Sequence, residues 1–359
     1  MKILCVIDSL GSGGAQRQLV NLAIGFKEIG HEVSFLVYHD INFFEKKLDE
    51  FNIPINKIID SNYFRRILKM RSFIRKGNYN SVLSFLETAN FICEISGFPR
   101  RKWKLVVGER SANPKILKSF KLKFLRWFHL FSDNVVSNSQ VNIDLVMRIN
   151  PLLKEKKCHV IRNIVDYDKW KPNPNYRFRK DGKLHIIVVA SHQYLKNLNG
   201  LVEAVNFLEE YEKKQLHISW YGGLRNDNSK DNGIEKIEKL NLKDIFHFYD
   251  STLQIHDRVN EADSLGLFSF YEGLPNSICE ALAVGKIVIA SRVSDIPLLI
   301  DDDNLLFNPM SLYEIQKVLQ YLLHISENEF KIISNKNISK AKKLFNKEMI
   351  IDKYLQLLN

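Results

Sequence analysis

Short apolar runs of strand length alternate with helical repeats along almost the whole chain. Between the first two runs, for example, Leu19, Leu22 and Phe26 recur at helical spacing. Strands separated by helices pair in parallel, and a parallel sheet needs cover on both faces. The alternation therefore predicts an α/β fold built of βα units, with strands at 3–7, 33–37, 81–85, 105–107, 134–137, 158–161, 185–190, 217–221, 246–249, 265–270 and 287–290.

The predicted strands form two series with an aperiodic segment between them. A length of 359 residues favours two domains, and 45% hydrophobic residues are enough for two cores. Residues 166–183 contain Pro172, Pro174 and several charges without periodicity, which is typical of a linker. We therefore predict a Rossmann-like domain over 1–165, a linker over 166–183, a second Rossmann-like domain over 184–339 and a helical tail over 340–359.

Cysteine usage and hydropathy exclude several classes of protein. The four cysteines form no Cys-x-x-Cys pair and have no metal-ligand spacing, which argues against a disulfide framework and a zinc site. A reducing, cytoplasmic setting follows. The first apolar run ends at Asp8, too early for a signal peptide, and no run approaches the roughly 20 apolar residues that span a bilayer.

The formal net charge of +11 is concentrated in the first half of the chain. Residues 1–170 hold 28 Lys and Arg against 16 Asp and Glu, whereas the remaining residues hold 24 against 25. Most of the excess lies within 61–130, with 16 basic residues against 3 acidic ones. Such a one-sided distribution predicts that this half faces an anionic partner.

Residues 271–285 form the most informative motif. Glu272 precedes a tight turn, and the turn leads into a short predicted helix that carries Glu280 and ends at Gly285. The first N–H groups of a helix lack intrahelical acceptors and favour an anion. The predicted anion-binding segment consists of Gly273, Leu274, Pro275, Asn276 and Ser277. Because a carboxylate that can bind hydroxyl groups lies on either side, the motif predicts a nucleotide sugar as the ligand.

This motif resembles the E-x7-E donor-binding signature of the family-4 retaining glycosyltransferases, which have the two-domain GT-B fold. The predicted strands before and after it, 265–270 and 287–290, stand where that family has them. The resemblance covers nearly the whole chain and implies two Rossmann-like domains facing a cleft, with a last helix over 340–359 that packs back on the first domain. It also implies that Glu280 binds the ribose hydroxyls and Glu272 the hydroxyls of the donor sugar.

A glycine-rich turn with Gly11, Gly13 and Gly14 follows the first predicted strand. The dinucleotide fingerprint of dehydrogenases is one explanation, and Asp40 after the second strand fits it, but the third required glycine would fall on Gln16. The resembled family commonly opens in this way. The resemblance implies that Gly13 and Gly14 let the backbone approach the donor phosphates or the acceptor.

Lys196 follows the first predicted strand of the second series. The family has an Arg and then a Lys in this loop, and both neutralise the donor diphosphate as the glycosidic bond breaks. Lys196 matches the Lys, whereas Ser191 or Gln193 stands at the Arg position, depending on how the loop is gapped. Gly222, at the end of the next strand, resembles a nucleotide-side glycine of the family, although a plain tight turn explains it nearly as well.

Glu109 and Arg110 resemble a stretch of the family's first domain that lines the cleft near the reacting sugar. A surface ion pair on a loop is the alternative. Many family members also carry a His in the preceding unit, where this chain has none and leaves Glu87 or Asn90 to take its place. The predicted catalytic residues are Glu272, Lys196, Glu109 and Arg110.

Two basic stretches, 64–76 and 115–128, carry apolar residues at helical spacing. Ordinary core-facing helices are one explanation. Aromatic residues among dense Lys and Arg also suit a helix in an anionic membrane interface, which we favour, and no nucleic-acid motif accompanies them. Asp301-Asp302-Asp303 is typical of a solvated turn, so no metal is predicted and no cofactor either.

Together these features predict a cytoplasmic hexosyltransferase on the inner face of the cell membrane. It would move a sugar, with retention, from a nucleotide diphosphate sugar, expected to be a UDP-sugar, to a glycan or lipid-linked glycan in cell-surface polysaccharide or lipopolysaccharide biosynthesis. Two alternatives remain. They are an NAD-dependent oxidoreductase and a non-catalytic basic binding module with the same fold.

Overall fold

The computed structural model describes residues 1–110, 114–225 and 227–359. They form two compact units, Met1–Ile164 with Asn346–Asn359, and Val165–Phe345. The segment 166–183, predicted as a linker, is folded into the second unit. There Trp170 is buried in the apolar core and Phe178 stacks on Phe330. Burial of these large aromatic side chains explains why the segment packs against the unit.

The first unit is built on a parallel sheet with the strand order β3-β2-β1-β4-β5-β6-β7. Its strands are β1 (Lys2–Val6), β2 (Glu32–Val37), β3 (Ile55–Lys57), β4 (Ser81–Phe85), β5 (Lys104–Glu109), β6 (Asn134–Ser137) and β7 (Cys158–Val160). Its helices are α1 (Gly14–Glu28), α2 (Glu45–Asp49), α3 (Tyr63–Lys76), α4 (Glu87–Ser96), α5 (Phe120–Trp127) and α6 (Gln140–Ile149). All residues of β4 are buried, as expected for a strand with helices over both faces.

The second unit is built on a parallel sheet with the order β10-β9-β8-β11-β12-β13. Its strands are β8 (Leu184–Val189), β9 (Leu216–Tyr221), β10 (Phe246–Tyr249), β11 (Ser264–Leu267), β12 (Ile287–Ser291) and β13 (Leu306–Phe307). Its helices are α7 (Leu198–Asn206), α8 (Glu210–Lys213), α9 (Ser229–Lys239), α10 (Ile255–Glu261), α11 (Asn276–Ala283), α12 (Leu312–His324) and α13 (Glu327–Leu344).

The end of the chain, predicted as one helix over 340–359, is divided between α13 and α14 (Lys347–Leu358). The side chain of Asn346 begins α14 by accepting the N–H of Met349 at 2.7 Å. α14 belongs to the first unit, where Tyr354 and Leu358 lie in the apolar core. The break lets one chain end contribute helices to both units.

The predicted α/β fold of two parallel-sheet units flanked by helices is confirmed. The edge strands β3 and β13 were not predicted. They are only 3 and 2 residues long, which is too short to show a hydrophobic pattern. Among the described residues, no helix is both long enough and apolar enough to cross a membrane.

Candidate active site

The second sheet reverses its strand order between β8 and β11. In an open parallel sheet, ligands bind outside the carboxyl ends of the strands at such a reversal. The loop after β8 carries Lys196 and the loop after β11 carries Glu272. The strand order therefore places two predicted site residues at the same edge of the sheet.

Lys196 and Glu272 form an ion pair between Nζ and Oε1, although 76 positions separate them in the chain. Each side chain is only 15% exposed, so water screens their attraction weakly. Ser269 Oγ donates a second hydrogen bond to the same carboxylate oxygen at 2.7 Å. The structure thus brings together the predicted phosphate-binding cation and the predicted sugar-binding carboxylate.

Asn197, the residue after Lys196, has a left-handed backbone conformation and fixes the turn that carries this lysine. Asn197, with φ +57°, ends the 3-10 turn Tyr194–Lys196 and begins α7. Its side chain accepts the N–H of Gly200 at 3.2 Å and donates to the carbonyl of Pro309 at 2.9 Å. Asn adopts this conformation more readily than most residues, so the local sequence suits the turn that presents the lysine.

The turn and helix predicted after Glu272 are present. Pro275 occupies the N-cap of α11 without a side-chain acceptor, and Gly285, with φ +74°, follows the end of the helix. A helix that begins without a side-chain cap can offer N–H groups of its first turn to an external anion. Glu280 lies on α11 and is 5% exposed. The five predicted anion-binding residues, Gly273, Leu274, Pro275, Asn276 and Ser277, are buried or half-buried.

Gly222 is required by a close approach of two chain segments. A Cβ at this position would lie 1.9 Å from the carbonyl oxygen of Ala190, at the start of the loop that carries Lys196. The indole N–H of Trp220 donates to that same oxygen at 2.8 Å. Gly222 therefore supports the path of the Lys196 loop, a role that the turn pattern alone did not indicate.

His192 is a buried residue of this loop, and its position in the sequence pattern predicts no role for it. It is 2% exposed, its ring stacks on Trp220 and lies beside Phe248, and neither ring nitrogen has a hydrogen-bond partner among the described residues. Burial and the nearby Lys230 lower the pKa of His192 to about 4. The ring therefore acts as a neutral packing group under the loop.

In the first unit, Gly13 and Gly14 lie at the junction of β1 and α1. Gly13 is the N-cap of α1 in an extended conformation, and Gly14 is the first helical residue. This sheet reverses its order between β1 and β4, so the two glycines lie at the edge where an open parallel sheet binds ligands. The position of Gly13 and Gly14 therefore agrees with a ligand site in this unit.

Glu109 is buried inside a network of ionisable side chains. It is 2% exposed, and its two carboxylate oxygens are engaged by Arg126 at 2.7 Å and by His129 at 3.1 Å. The other ring nitrogen of His129 lies 2.6 Å from Glu94. Glu109 therefore stabilises the end of β5 from within, and the interpretation as an exposed surface ion pair with Arg110 does not fit this geometry.

Each charged side chain of this network favours the ionised form of its neighbours. Burial alone would raise the pKa of Glu109, yet Arg126 and His129 hold it below its usual value. Burial would likewise lower the pKa of His129, but Glu94 and Glu109 raise it to about 9. Removing one partner would leave another charge buried and uncompensated, which is strongly destabilising.

Arg110 is anchored to the last helix of the chain. Its Nη2 donates to the hydroxyl of Tyr354 at 2.6 Å, its Nη1 donates to Asn163 at 3.3 Å, and its guanidinium lies 3.8 Å from the ring centre of Phe85. Burial lowers its pKa. These contacts all lie within the first unit, and they make α14 part of the support for Arg110.

Of the two residues left to replace the family's His, only Glu87 offers an accessible side chain. Glu87 follows β4, its side chain is 30% exposed, and it shares the buried Arg126 with Glu109 through a 3.2 Å contact. Asn90 is fully buried and is bonded to Ser84 at 2.8 Å and to the carbonyl of Gly108 at 3.0 Å. Asn90 therefore joins strands, whereas Glu87 can meet a ligand.

The acidic turn at 301–303 is occupied by partners from the protein. Asp301 pairs with Lys340 at 2.6 Å, Asp303 pairs with Arg292 at 2.6 Å, and Asp302 accepts the hydroxyl of Tyr321 at 2.7 Å. These contacts agree with the interpretation as a turn. Within the described ranges, no three or more His, Cys, Asp or Glu residues cluster in a way that could hold a metal ion.

The two basic stretches differ in how their charges are used. In α3, Lys69 pairs with Asp60 at 2.8 Å and Arg75 donates to the carbonyl of Ser96 at 2.9 Å. Around α5 the aromatic residues face solvent, with Phe120 84% exposed and Trp127 40% exposed. In α3, Phe64 is 77% exposed and Tyr63 41% exposed, so both stretches combine exposed aromatic residues with basic ones.

Comparison with known proteins places both halves of the chain in one class of enzyme. Residues 12–169 match the family model described as Glycosyltransferase Family 4, and residues 172–343 match that described as Glycosyl transferases group 1. A curated protein of Campylobacter jejuni is 29% identical over 301 residues, which cover 79% of this chain and 77% of that protein. Its name is GalNAc-alpha-(1->4)-GalNAc-alpha-(1->3)-diNAcBac-PP-undecaprenol alpha-1,4-N-acetyl-D-galactosaminyltransferase.

Solved structures share the fold over the full length. Anabaena Alr3699/HepE in complex with UDP-glucose has a TM-score of 0.88 at 18% identity, covering 100% of this chain and 99% of its own. A glycosyltransferase from Rickettsia africae has a TM-score of 0.82 at 18% identity, with coverage of 99% and 97%. Since two glycosyltransferase family models match consecutive regions that together span nearly the whole chain, this protein is a glycosyltransferase of the GT-B fold.

Proposed function

We propose that the chain transfers a sugar from a UDP-sugar to a lipid-linked glycan, with retention of the anomeric configuration, in the biosynthesis of a cell-surface polysaccharide. The observation that carries the donor assignment is the meeting of Lys196 and Glu272 at the strand reversal, beside the start of α11. The bound UDP-glucose of the Anabaena protein supports a uridine nucleotide. The undecaprenol-linked substrate named for the Campylobacter protein supports a lipid-linked acceptor.

Each donor group then has a matching protein group. The ammonium of Lys196 and the N–H groups at the start of α11 stabilise the diphosphate, whose negative charge grows as the glycosidic bond breaks. Glu280 binds the ribose hydroxyls and Glu272 the hydroxyls of the transferred sugar. Lys196 and Glu272 follow the neighbouring strands β8 and β11, so the sheet positions both groups at the donor.

Retention follows if the leaving phosphate accepts the proton of the incoming hydroxyl on the face from which it departs. This route needs positioning and electrostatic stabilisation rather than a protein nucleophile. We assign contact with the acceptor hydroxyls to Glu87 rather than to Glu109, because Glu87 has the exposed carboxylate. Arg126 holds Glu87 from below, and no cofactor or metal ion takes part.

A lipid-linked acceptor requires access to a membrane surface. We propose that the protein works on the cytoplasmic face of the membrane and binds anionic lipid through the α5 region. Phe120, Phe124 and Trp127 are exposed there, and Lys118 and Lys121 are exposed beside them. Aromatic side chains insert at the headgroup level while lysines attract anionic lipids.

Turnover of a panel of UDP-sugars with a lipid-linked acceptor, measured as release of free UDP, tests the proposal. Lys196→Ala and Glu280→Gln should each lower kcat/KM by roughly 100-fold or more, since each removes a charged donor contact. Lys236→Ala is the matched control. Lys236 on α9 pairs with Glu203 on α7, and its replacement should leave turnover unchanged. Wild-type rates in both site variants would contradict the donor assignment.

The same assay tests metal independence. With the diphosphate stabilised by Lys196 and helix N–H groups, EDTA should leave the rate unchanged. Inhibition by EDTA that magnesium or manganese reverses would refute this part of the proposal. Nucleotide binding without any turnover would instead favour a binding module.

A further inference from the structure

The two residues with the most direct donor roles are bound to each other. Lys196 Nζ contacts Glu272 Oε1, and Ser269 Oγ donates to that same oxygen at 2.7 Å. The proposed function, on which this inference rests, requires the ammonium at the diphosphate and the carboxylate at the sugar. Binding of the donor therefore has to exchange one set of contacts for another.

The free energy of this exchange of contacts is more favourable for the donor, UDP-sugar, than for the product, UDP. When a diphosphate takes the ammonium, Glu272 loses its cation and lies near an anion in a site that is only 15% exposed, where repulsion is strong. A donor sugar compensates the carboxylate by donating hydrogen bonds from its hydroxyls. Free UDP lacks those hydroxyls and leaves the carboxylate uncompensated.

We infer that Glu272 is a specificity-determining residue that makes the site prefer UDP-sugar over UDP, because it competes with UDP for Lys196. After the sugar has left, the carboxylate returns to the ammonium and displaces the product. Ser269 keeps the carboxylate within reach of Lys196 throughout. Glu272 thereby has two functions, donor recognition and product expulsion.

The inference predicts an unusual result for a substitution at a binding residue. Glu272→Gln keeps the size of the side chain but removes the competing charge, so UDP should bind roughly 5- to 10-fold more tightly, as expected for a coupling of this kind. Binding of UDP to the full-length protein can be measured by titration calorimetry at fixed ionic strength. In the transfer assay, kcat/KM should fall while inhibition by UDP becomes stronger by a similar factor.

Two controls separate this effect from a general change of charge. Glu203→Gln breaks another Lys–Glu pair of the second unit, that with Lys236, and should leave UDP affinity unchanged. In a Lys196→Ala background, Glu272→Gln should tighten UDP binding by a smaller factor, since the contested cation is gone and only the repulsion of the diphosphate is relieved. Tightening of equal size in the Lys196→Ala background would overturn the inference.

Unchanged or weaker UDP binding by Glu272→Gln, in a variant whose thermal unfolding matches the wild type, would also overturn it. Failure of the proposed function gives a different result. In that case the wild-type protein binds none of UDP, GDP and ADP and releases no nucleotide from any nucleotide sugar. A wild type that binds UDP and turns over its sugar therefore isolates the test of Glu272.

Discussion

His192 illustrates how strongly the neighbours of a single residue set its chemistry. The folded chain keeps its ring neutral, because burial and Lys230 lower its pKa from 6.5 to about 4. In the unfolded chain the ring gains a proton as the pH falls through 6.5. The free energy of unfolding therefore decreases as the pH falls from about 6.5 to about 4, and the decrease from this residue ends below that range.

His192→Leu should remove this part of the acid sensitivity. Because the ring makes no hydrogen bond among the described residues, an apolar replacement leaves no partner unsatisfied. Between pH 6.5 and 4, the stability of the variant should fall by about 1 kcal/mol less per pH unit than that of the wild type. Urea unfolding at pH 7 and pH 5 measures the difference.

A residual decline should persist in that variant, since burial and the neighbouring His185 and His247 lower the pKa of His217 to about 4 as well. His324→Leu, on the exposed end of α12, serves as the control for replacing a histidine by leucine. Equal pH dependence of His192→Leu and wild type would show that the ring is not held neutral.

At the scale of elements, the contact of α1 with α14 explains how the chain end is held. A Cβ on Gly25 of α1 would lie 2.0 Å from Cδ1 and 2.9 Å from Cγ1 of Ile351 on α14. Ile351 is itself 4% exposed in the core of the first unit. The two helices therefore approach so closely that the absence of a side chain at position 25 is part of their packing.

Gly25→Ala should destabilise the protein by roughly 1–3 kcal/mol, although alanine is the better helix former by about 1 kcal/mol. The added methyl group and Ile351 cannot occupy the same space. Combining it with Ile351→Val, which removes Cδ1, should restore part of the loss, whereas Ile351→Val alone should destabilise. Chemical denaturation of the four proteins gives the coupling, and strictly additive effects would contradict direct packing.

At the scale of the whole molecule, the two units differ in charge. The first unit carries 29 Lys and Arg against 16 Asp and Glu, and the second carries 23 against 25. A surface that attracts anionic lipid should therefore reside on the first unit. The α5 region, proposed above to bind anionic lipid, belongs to this unit and exposes Phe120, Phe124 and Trp127.

Replacing Lys118, Lys121 and Lys123 by Gln should weaken binding to vesicles that contain anionic lipid by about 1 kcal/mol per lysine at low salt. Sedimentation with such vesicles measures the change. The control replaces Lys236, Lys239 and Lys243, which pair with glutamates of the second unit and alter the net charge equally. Equal weakening by both triple variants would mean that net charge alone drives binding.

Local patterns were sufficient for the class of fold and for the motif around Glu272. Buried parallel strands are apolar on both faces, so β1, β4 and β8 were recognisable from their own residues. The turn and helix that lead to Glu280 follow from proline and glycine, whose backbone preferences act within a few residues. These signals need no knowledge of distant partners.

The tertiary structure decided which distant residues meet. Lys196 contacts Glu272 because β8 and β11 are neighbours at the strand reversal. Glu109 is buried because Arg126 and His129 pack against it at the end of β5. The break at Asn346, which sends α14 to the first unit, likewise depends on packing against Gly25. A sequence pattern reports local burial and turn preference, whereas strand order and pairing minimise the free energy of the whole folded unit and cannot be found in any one segment.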